Sequence, residues 1–258
     1  IHRYASYHCF MFKQLVLLRP VATFFALVTF AIAMALGFWQ VDRMDQKLSL
    51  ADDVAKKERS APLLAHAKQW TYEEAKHHRM VARGIYIPDA TVWLENRPHP
   101  QGRDPKTGIT VGFYVLTPLK LQYSGQLIWI NRGWVPRDGI DREKLPPLIT
   151  PEGQVEVEGL VFEHPARVMN VGNLDVSAQK QKIQQNLDIE KQSAQLNIPH
   201  LPFILRQAQG GLDDGLQRDW APMQNGSEKH KGYAFQWFSL ATLTILFWLF
   251  SGLLRKKV

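Results

Sequence analysis

Two stretches of the chain contain no charged side chain: Pro20 to Trp39, twenty residues, and Gly232 to Leu254, twenty-three residues. At about 1.5 Å per residue, twenty residues cover about 30 Å, the hydrocarbon thickness of a bilayer, so each stretch predicts a transmembrane helix. Pro20 suits the first helical position, where its missing N–H costs nothing. Arg19 and Trp39 flank the first stretch, and Tyr233, Trp237 and Trp248 are placed in the second as interfacial aromatics are. Arg3, Lys13 and Arg19 precede the first span and Arg255, Lys256 and Lys257 follow the second. By the positive-inside rule, the tails 1–19 and 255–258 lie in the cytoplasm or the equivalent matrix, and residues 40–231 lie on the other side. A cleavable signal peptide is the competing reading, with Ala33-Met34-Ala35 as its cleavage site. The apolar run is longer than an ordinary signal core and continues through Trp39, which favours a retained anchor.

Between the spans the periodicity changes. Residues 40–59 continue as a polar helix, with Val41, Met44, Leu48 and Ala51 on one face, until Pro62 ends it; a second short helix is expected over Thr71–His77. Strands are predicted at Met80–Tyr86, Thr91–Glu95, Ile109–Leu116, Gln126–Asn131, Gln154–Phe162 and Pro202–Gln207. Asn96–Gly108 reads as a loop, and Tyr123-Ser124-Gly125 as a hairpin turn. Residues 175–196 are rich in Gln and Lys, and Asp188 is placed to cap a helix ending at Leu196. Short strands without regular crossover helices favour antiparallel pairing. The expected fold is thus a membrane-anchored α+β protein. Two transmembrane helices, N- and C-terminal, flank a mainly antiparallel β domain with a few short helices, a partly closed barrel being one form of it.

Composition narrows the function classes. Mean hydropathy is −0.23, which excludes a polytopic transporter. The formal charge is +7, but the two tails hold six of those charges, so the middle domain is nearly neutral and no nucleic-acid partner is expected. Cys9 is the sole cysteine, which excludes an internal disulfide, a CxxC redox site and covalent haem attachment through CxxCH. GxSxG, P-loop, HExxH and GxGxxG motifs are absent, which lowers the expectation of an enzyme. The chain begins with Ile1; Met11, before Phe12, Lys13 and the apolar run, reads as the natural start. The lack of a long Arg/Ser-rich leader points to a bacterial inner membrane.

Of nine histidines, His2 and His8 lie in the N-terminal tail, and the adjacent His77 and His78 point about 100° apart on a helix and so cannot easily share a metal. His66, His99, His164 and His200 read as solvated surface or loop residues. His230 stands two residues before the second span, with Tyr233, Trp237 and Ala241 following at i+3, i+7 and i+11. An imidazole above aromatic rings can hold a porphyrin, the nitrogen on the iron and the rings against the macrocycle edge. An interfacial polar residue above an ordinary aromatic belt is the other reading.

Several motifs together resemble the surfeit-locus-1 family of cytochrome c oxidase assembly proteins. Gly37-Phe38-Trp39-Gln40-Val41-Asp42-Arg43, with Lys47 and Leu48, is similar to the family's segment at the end of its first span. Asn131-Arg132-Gly133-Trp134-Val135-Pro136 matches its NRGWVP signature, with Thr117-Pro118-Leu119 upstream. Tyr86-Ile87-Pro88-Asp89, Asn96-Arg97-Pro98 and the His230, Tyr233-Ala234, Trp237-Phe238 entry to the second span also fit, so the resemblance covers most of residues 20–256. It implies an assembly factor for a haem–copper terminal oxidase that handles haem a for insertion into the catalytic subunit, and not an enzyme. Implied partners are cytochrome c oxidase subunit I, haem a synthase and the lipid bilayer. The haem-linked histidine falls on His230, which would ligate the iron, with Tyr233, Trp237, Trp39, Gln40 and Arg43 around it. Arg43 and Lys229 are candidates to meet the propionates, with interfacial anchoring the other role for Arg43. Glu228-Lys229 departs from the Asn-Asn pair frequent in the family. Asn131, Arg132 and Trp134 fit a structural or partner-docking role. A scaffold that never binds haem and an envelope enzyme with an unrecognised site are the rival functions.

Overall fold

The structure, a computed structural model, describes residues 19–141, 144–165, 182–210, 214–221 and 226–254. The expectations for both basic tails, Met11, Cys9, His2 and His8, and the first part of the Gln/Lys-rich stretch fall outside them. The chain forms two compact units, one of residues 1–53 with 224–258 and one of residues 54–223.

The first unit is helical. Helix α1 (Pro20–Arg59) continues without a break from the apolar stretch into the polar one, and α4 (Ser227–Leu254) is the second long helix. Both are long and apolar enough to cross a membrane.

The second unit is an α+β domain. Its strands are β1 (Leu63–Leu64), β2 (Arg79–Tyr86), β3 (Val92–Pro98), β4 (Val111–Leu121), β5 (Leu127–Pro136), β6 (Gln154–Phe162), β7 (Ile183–Gln184) and β8 (His200–Gly210). Its helices are α2 (Tyr72–Ala75) and α3 (Ile189–Leu196). The strand order is β1-β2-β6-β8-β5-β4-β3-β7, and β2 also pairs with β4, so β2, β6, β8, β5 and β4 close into a five-stranded barrel. Closure falls on Gly84, where a Cβ would lie 2.1 Å from the Lys120 carbonyl oxygen; β2 can meet β4 there only without a side chain.

The sheet is mainly antiparallel, as expected, but it is mixed: five pairings are antiparallel and three are parallel. β1 runs parallel to β2, β3 to β7 and β5 to β8; the other pairings are antiparallel. The β5–β8 pair is parallel because β6 and α3 intervene in the chain between them, a connection long enough for a crossover. Expected strands run further than predicted: β3 continues through Pro98 into the stretch read as a loop, β4 runs through Pro118, β5 through the whole Asn131–Pro136 motif, and β8 from His200 to Gly210. Pro118 is tolerated because β4 has left β3 at Leu116 and meets β2 from Leu119, so no donor is needed between.

Inside the barrel, Met80, Ala82, Leu119, Leu121, Ile128, Ile130, Val157, Phe203 and Leu205 pack together, as period-2 alternation requires. Outside, α3 covers Trp129, whose Nε1 donates to the buried Ser193 Oγ (3.0 Å). Asp188 caps α3 as expected, accepting from the Lys191 N–H (3.0 Å).

Candidate functional site

The helix pair is set by a seven-residue repeat. Ser227, Ala234, Ala241 and Trp248 are the fully buried positions of α4 among the residues through 248, and α1 answers with Thr23, Ala33, Gly37 and Gln40. A seven-residue spacing keeps one seam facing its partner along the helix. Rungs of the seam are polar near both ends. Arg19 Nη1 donates to Ser251 Oγ (3.1 Å), and Trp248 Nε1 donates to Thr23 Oγ1 (3.1 Å). Further along, Phe38 and Phe238 meet edge to face at 5.4 Å, and the Phe238 ring fills the space beside Gly37. At the other end Gln40 Oε1 and His230 Nδ1 lie 2.7 Å apart, so the helices run antiparallel.

That last rung has chemical consequences. An amide oxygen accepts only, so His230 Nδ1 carries a hydrogen, and in the neutral ring the lone pair lies on Nε2. Among the described residues Nε2 has no hydrogen-bond partner. Gln40 is buried in the seam, which fixes the ring's azimuth as outer-shell partners fix metal-binding histidines.

The other sequence-predicted site residues take different places. Trp237 is half-buried beside the seam, while Tyr233 and Trp39 are about half-exposed on outward faces. Arg43 is exposed; its guanidinium lies 5.8 Å from the Trp39 ring and donates to Gln46 Oε1 (2.8 Å), whose amide holds Asp42. Gln40 and His230 are thus brought together, Trp237 lies about two turns further along α4, and Tyr233, Trp39 and Arg43 lie off the seam. The Thr23–Trp248 and Arg19–Ser251 rungs went unread in the sequence, although the spacing of Ala234, Ala241 and Trp248 carried the signal.

In the β domain, the Asn131–Pro136 motif builds one end of the barrel. Arg132, on the inward face of β5, is 1 % exposed and donates to Asp214 Oδ2 (2.8 Å), Thr150 Oγ1 (2.8 Å) and the Ile149 carbonyl (2.7 Å). Arg218 also donates to both Asp214 oxygens at 2.8 Å. The Arg132 guanidinium lies 4.9 Å from the Tyr86 ring; burial pushes the Tyr86 phenol up to about 12, against the opposing pull of Arg132 and Arg218. Gly133, at φ +152°, passes so close to the chain after Asp214 that a Cβ would lie 2.8 Å from the Gln217 oxygen and the Leu216 Cβ. Trp134 exchanges backbone hydrogen bonds with Gln217 (both 2.8 Å), and its Nε1 donates to the Arg97 carbonyl (3.0 Å).

His99 is 2 % exposed, not the solvated residue expected from its loop position. It sits edge-on to Trp134 at 4.7 Å, with Nε2 donating to Gln217 Oε1 (2.7 Å) and Nδ1 accepting the Gln101 N–H (3.2 Å). The Gln217 amide in turn donates to Asp104 Oδ1 (3.0 Å). Burial would raise the Asp104 carboxyl, but hydrogen bonds from Thr107, Lys106 and Gln217 outweigh it and hold the group down at about 2. These groups tie loop to strand and satisfy one another, so they form a structural clasp. Among the described residues, no cluster of three or more His, Cys, Asp or Glu side chains is arranged to hold a metal ion.

Comparison with known proteins gives matches over most of the chain. The SURF1 family sequence model matches residues 27–242. A SURF1-like protein of Rickettsia bellii is 25 % identical over 224 residues, covering 85 % of this chain and 86 % of its own. Surfeit locus protein 1 of Xenopus tropicalis is 24 % identical over 243 residues, covering 92 % and 74 %. That of Takifugu rubripes is 30 % identical over 173 residues, covering 64 % and 67 %. With the family match running from within α1, through the whole β domain, to the heart of α4, the chain belongs to the SURF1 family.

Proposed function

We propose that this protein is a membrane-anchored assembly factor for cytochrome c oxidase, and that it receives haem a at His230 for delivery to subunit I. Membership of the SURF1 family supports the role in oxidase assembly. The observation that carries the haem reading is the 2.7 Å contact between Gln40 and His230, which leaves Nε2 as the free imidazole donor. A neutral imidazole whose second nitrogen is held by an oxygen is the form that binds haem iron. The residues therefore fit a single axial ligand.

The chain's own part is to hold and orient. Gln40 fixes the ring, Trp237 offers an aromatic wall, and Arg43 and Lys229 supply cations for two propionates. Tyr233 and Trp39, on outward faces, fit the interfacial belt. Phe24, Phe25, Phe235, Phe247 and Phe250 are all more than 60 % exposed, a surface that suits lipid and not water, which supports two membrane spans. The basic ends support a reading with both termini in the cytoplasm of a bacterial inner membrane and the β domain in the periplasm. Haem a synthase would supply the cargo. Nothing in this role requires a bond in the haem to be made or broken, so the protein acts as a carrier and not as an enzyme.

The test is purification from membranes in which haem a synthase and the chain are co-expressed. Bound haem a with an axial-imidazole spectrum is expected. Haem-free protein that still co-purifies subunit I would replace the carrier reading with a scaffold.

A further inference from the structure

Arg206, on β8 of the barrel, has an unusual setting. Its guanidinium carbon lies 4.2 Å from the centre of the Phe162 ring and 5.1 Å from that of Trp220. Trp220 is pinned there by donation from Nε1 to the Gln207 carbonyl (2.7 Å) and by edge contact with Tyr114 at 5.5 Å. The Arg206 Nε is buried without an acceptor, and among the described residues its side chain makes no hydrogen bond or ion pair. The side chain is half-buried, so part of it reaches the surface. Glu58 favours its charge through space but is not within ion-pair distance.

A second cation stands nearby. Arg97, fully buried, lies 5.9 Å from the other partner of Trp220, the Tyr114 ring. Burial pulls both guanidinium groups below the usual arginine range. Arg132, which is also buried, shows how this fold treats such a group when the ion is internal: it supplies Asp214 at 2.8 Å. Arg206 lacks that counterpart. Buried charges are normally paired, and a planar fork with aromatic walls fits a planar two-oxygen anion.

We propose that Arg206, clamped between Phe162 and Trp220, is a binding site for a carboxylate, from a small aromatic acid or from an acidic side chain of a partner. The aromatic rings restrain the guanidinium plane, and the carboxylate takes its accessible nitrogens.

Trp220 is a built-in reporter. The full chain in detergent micelles is titrated with sodium benzoate and, separately, with an end-blocked Gly-Glu-Gly peptide. Sodium chloride at equal ionic strength and end-blocked Gly-Gln-Gly are the controls. The fluorescence of a Trp220→Phe variant is subtracted to isolate the reporter. Arg206→Lys keeps the charge but not the fork, and its fold is checked by circular dichroism. A saturable change with at least one carboxylate, weakened about tenfold or more in Arg206→Lys, is expected. The tighter of the two ligands names the source. A response that never saturates, one that chloride or the Gln peptide reproduces, or one equal in Arg206→Lys would overturn the proposal.

Discussion

Removing one charge from the buried Arg132–Asp214 pair should be among the most damaging single changes in the β domain. In Asp214→Asn the side-chain shape is nearly kept, but Arg132 is left with the Thr150 hydroxyl and the Ile149 carbonyl as its strong acceptors. Arg218, which shares the carboxylate, becomes a second cation facing the first without an anion between them. The two side chains of the pair are 1 % and 3 % exposed, so water screens little of this loss. Breaking a buried pair on one side costs about 3–5 kcal/mol, against about 0.2–1 kcal/mol for an exposed pair. The assay is urea unfolding of the full chain in micelles, with hydrogen exchange of the β5 amides as the local readout. Protection there should fall by roughly two to three and a half orders of magnitude, at about 1.4 kcal/mol per tenfold. The double variant Arg132→Met/Asp214→Leu should be less damaged than the sum of its single changes, because the deeply buried Arg132 charge is removed with its partner and only the more exposed Arg218 is left unpaired. A loss under about 1 kcal/mol in Asp214→Asn, or strict additivity in the double variant, would refute the reasoning.

Other changes have equally direct readouts. Gly133→Ala should cost about 1–3 kcal/mol by urea unfolding, since a Cβ at φ +152° meets the Gln217 oxygen and the Leu216 Cβ, and an unchanged midpoint would show that the chain there can yield. Asp104 titrates lower in the folded state than its ordinary 3.8, so the stability it contributes is complete above about pH 4 and is lost as pH falls through about 2. The acid-unfolding curve of Asp104→Asn should therefore lack the part of the wild-type slope between those values. Tyr86 is shifted the other way, from 10.0 to about 12, so its share of stability is intact below pH 10 and fades as pH approaches 12; one tyrosine should lag in an absorbance titration, and Tyr86→Phe should remove that lagging component. Gly37→Leu would put a Cβ 2.6 Å from the Phe238 ring, so spin labels on Arg19→Cys and Ser251→Cys (with Cys9→Ser) should report a longer and broader distance than in the parent.

What the sequence revealed follows from which interactions are local. The absence of charge over Pro20–Trp39 and Gly232–Leu254 is a property of each stretch alone, and both lie within long helices. Caps and turns were legible for the same reason: Asp188 caps α3, and Gly125, at φ +69°, makes the hairpin between β4 and β5. The parallel β5–β8 pairing was not legible, because it joins strands that are far apart in the chain and leaves no periodic trace in either. His99 was misread because its burial comes from Trp134 and Gln217, which are distant in sequence. At the candidate site, Gln40 and His230 were both visible as polar residues at the ends of apolar runs. Their hydrogen bond depended on the relative register of two helices, which the Ala234–Ala241–Trp248 spacing encodes for one partner only.

The amount of haem a that co-purifies with the wild type, His230→Ala and Gln40→Leu from membranes making haem a tests the central claim most directly. The account predicts bound haem a in the wild type and none in His230→Ala. In Gln40→Leu it predicts binding weakened about 10- to 100-fold, the usual cost of removing an outer-shell partner. Equal haem a in all three proteins, or none in the wild type, would contradict it.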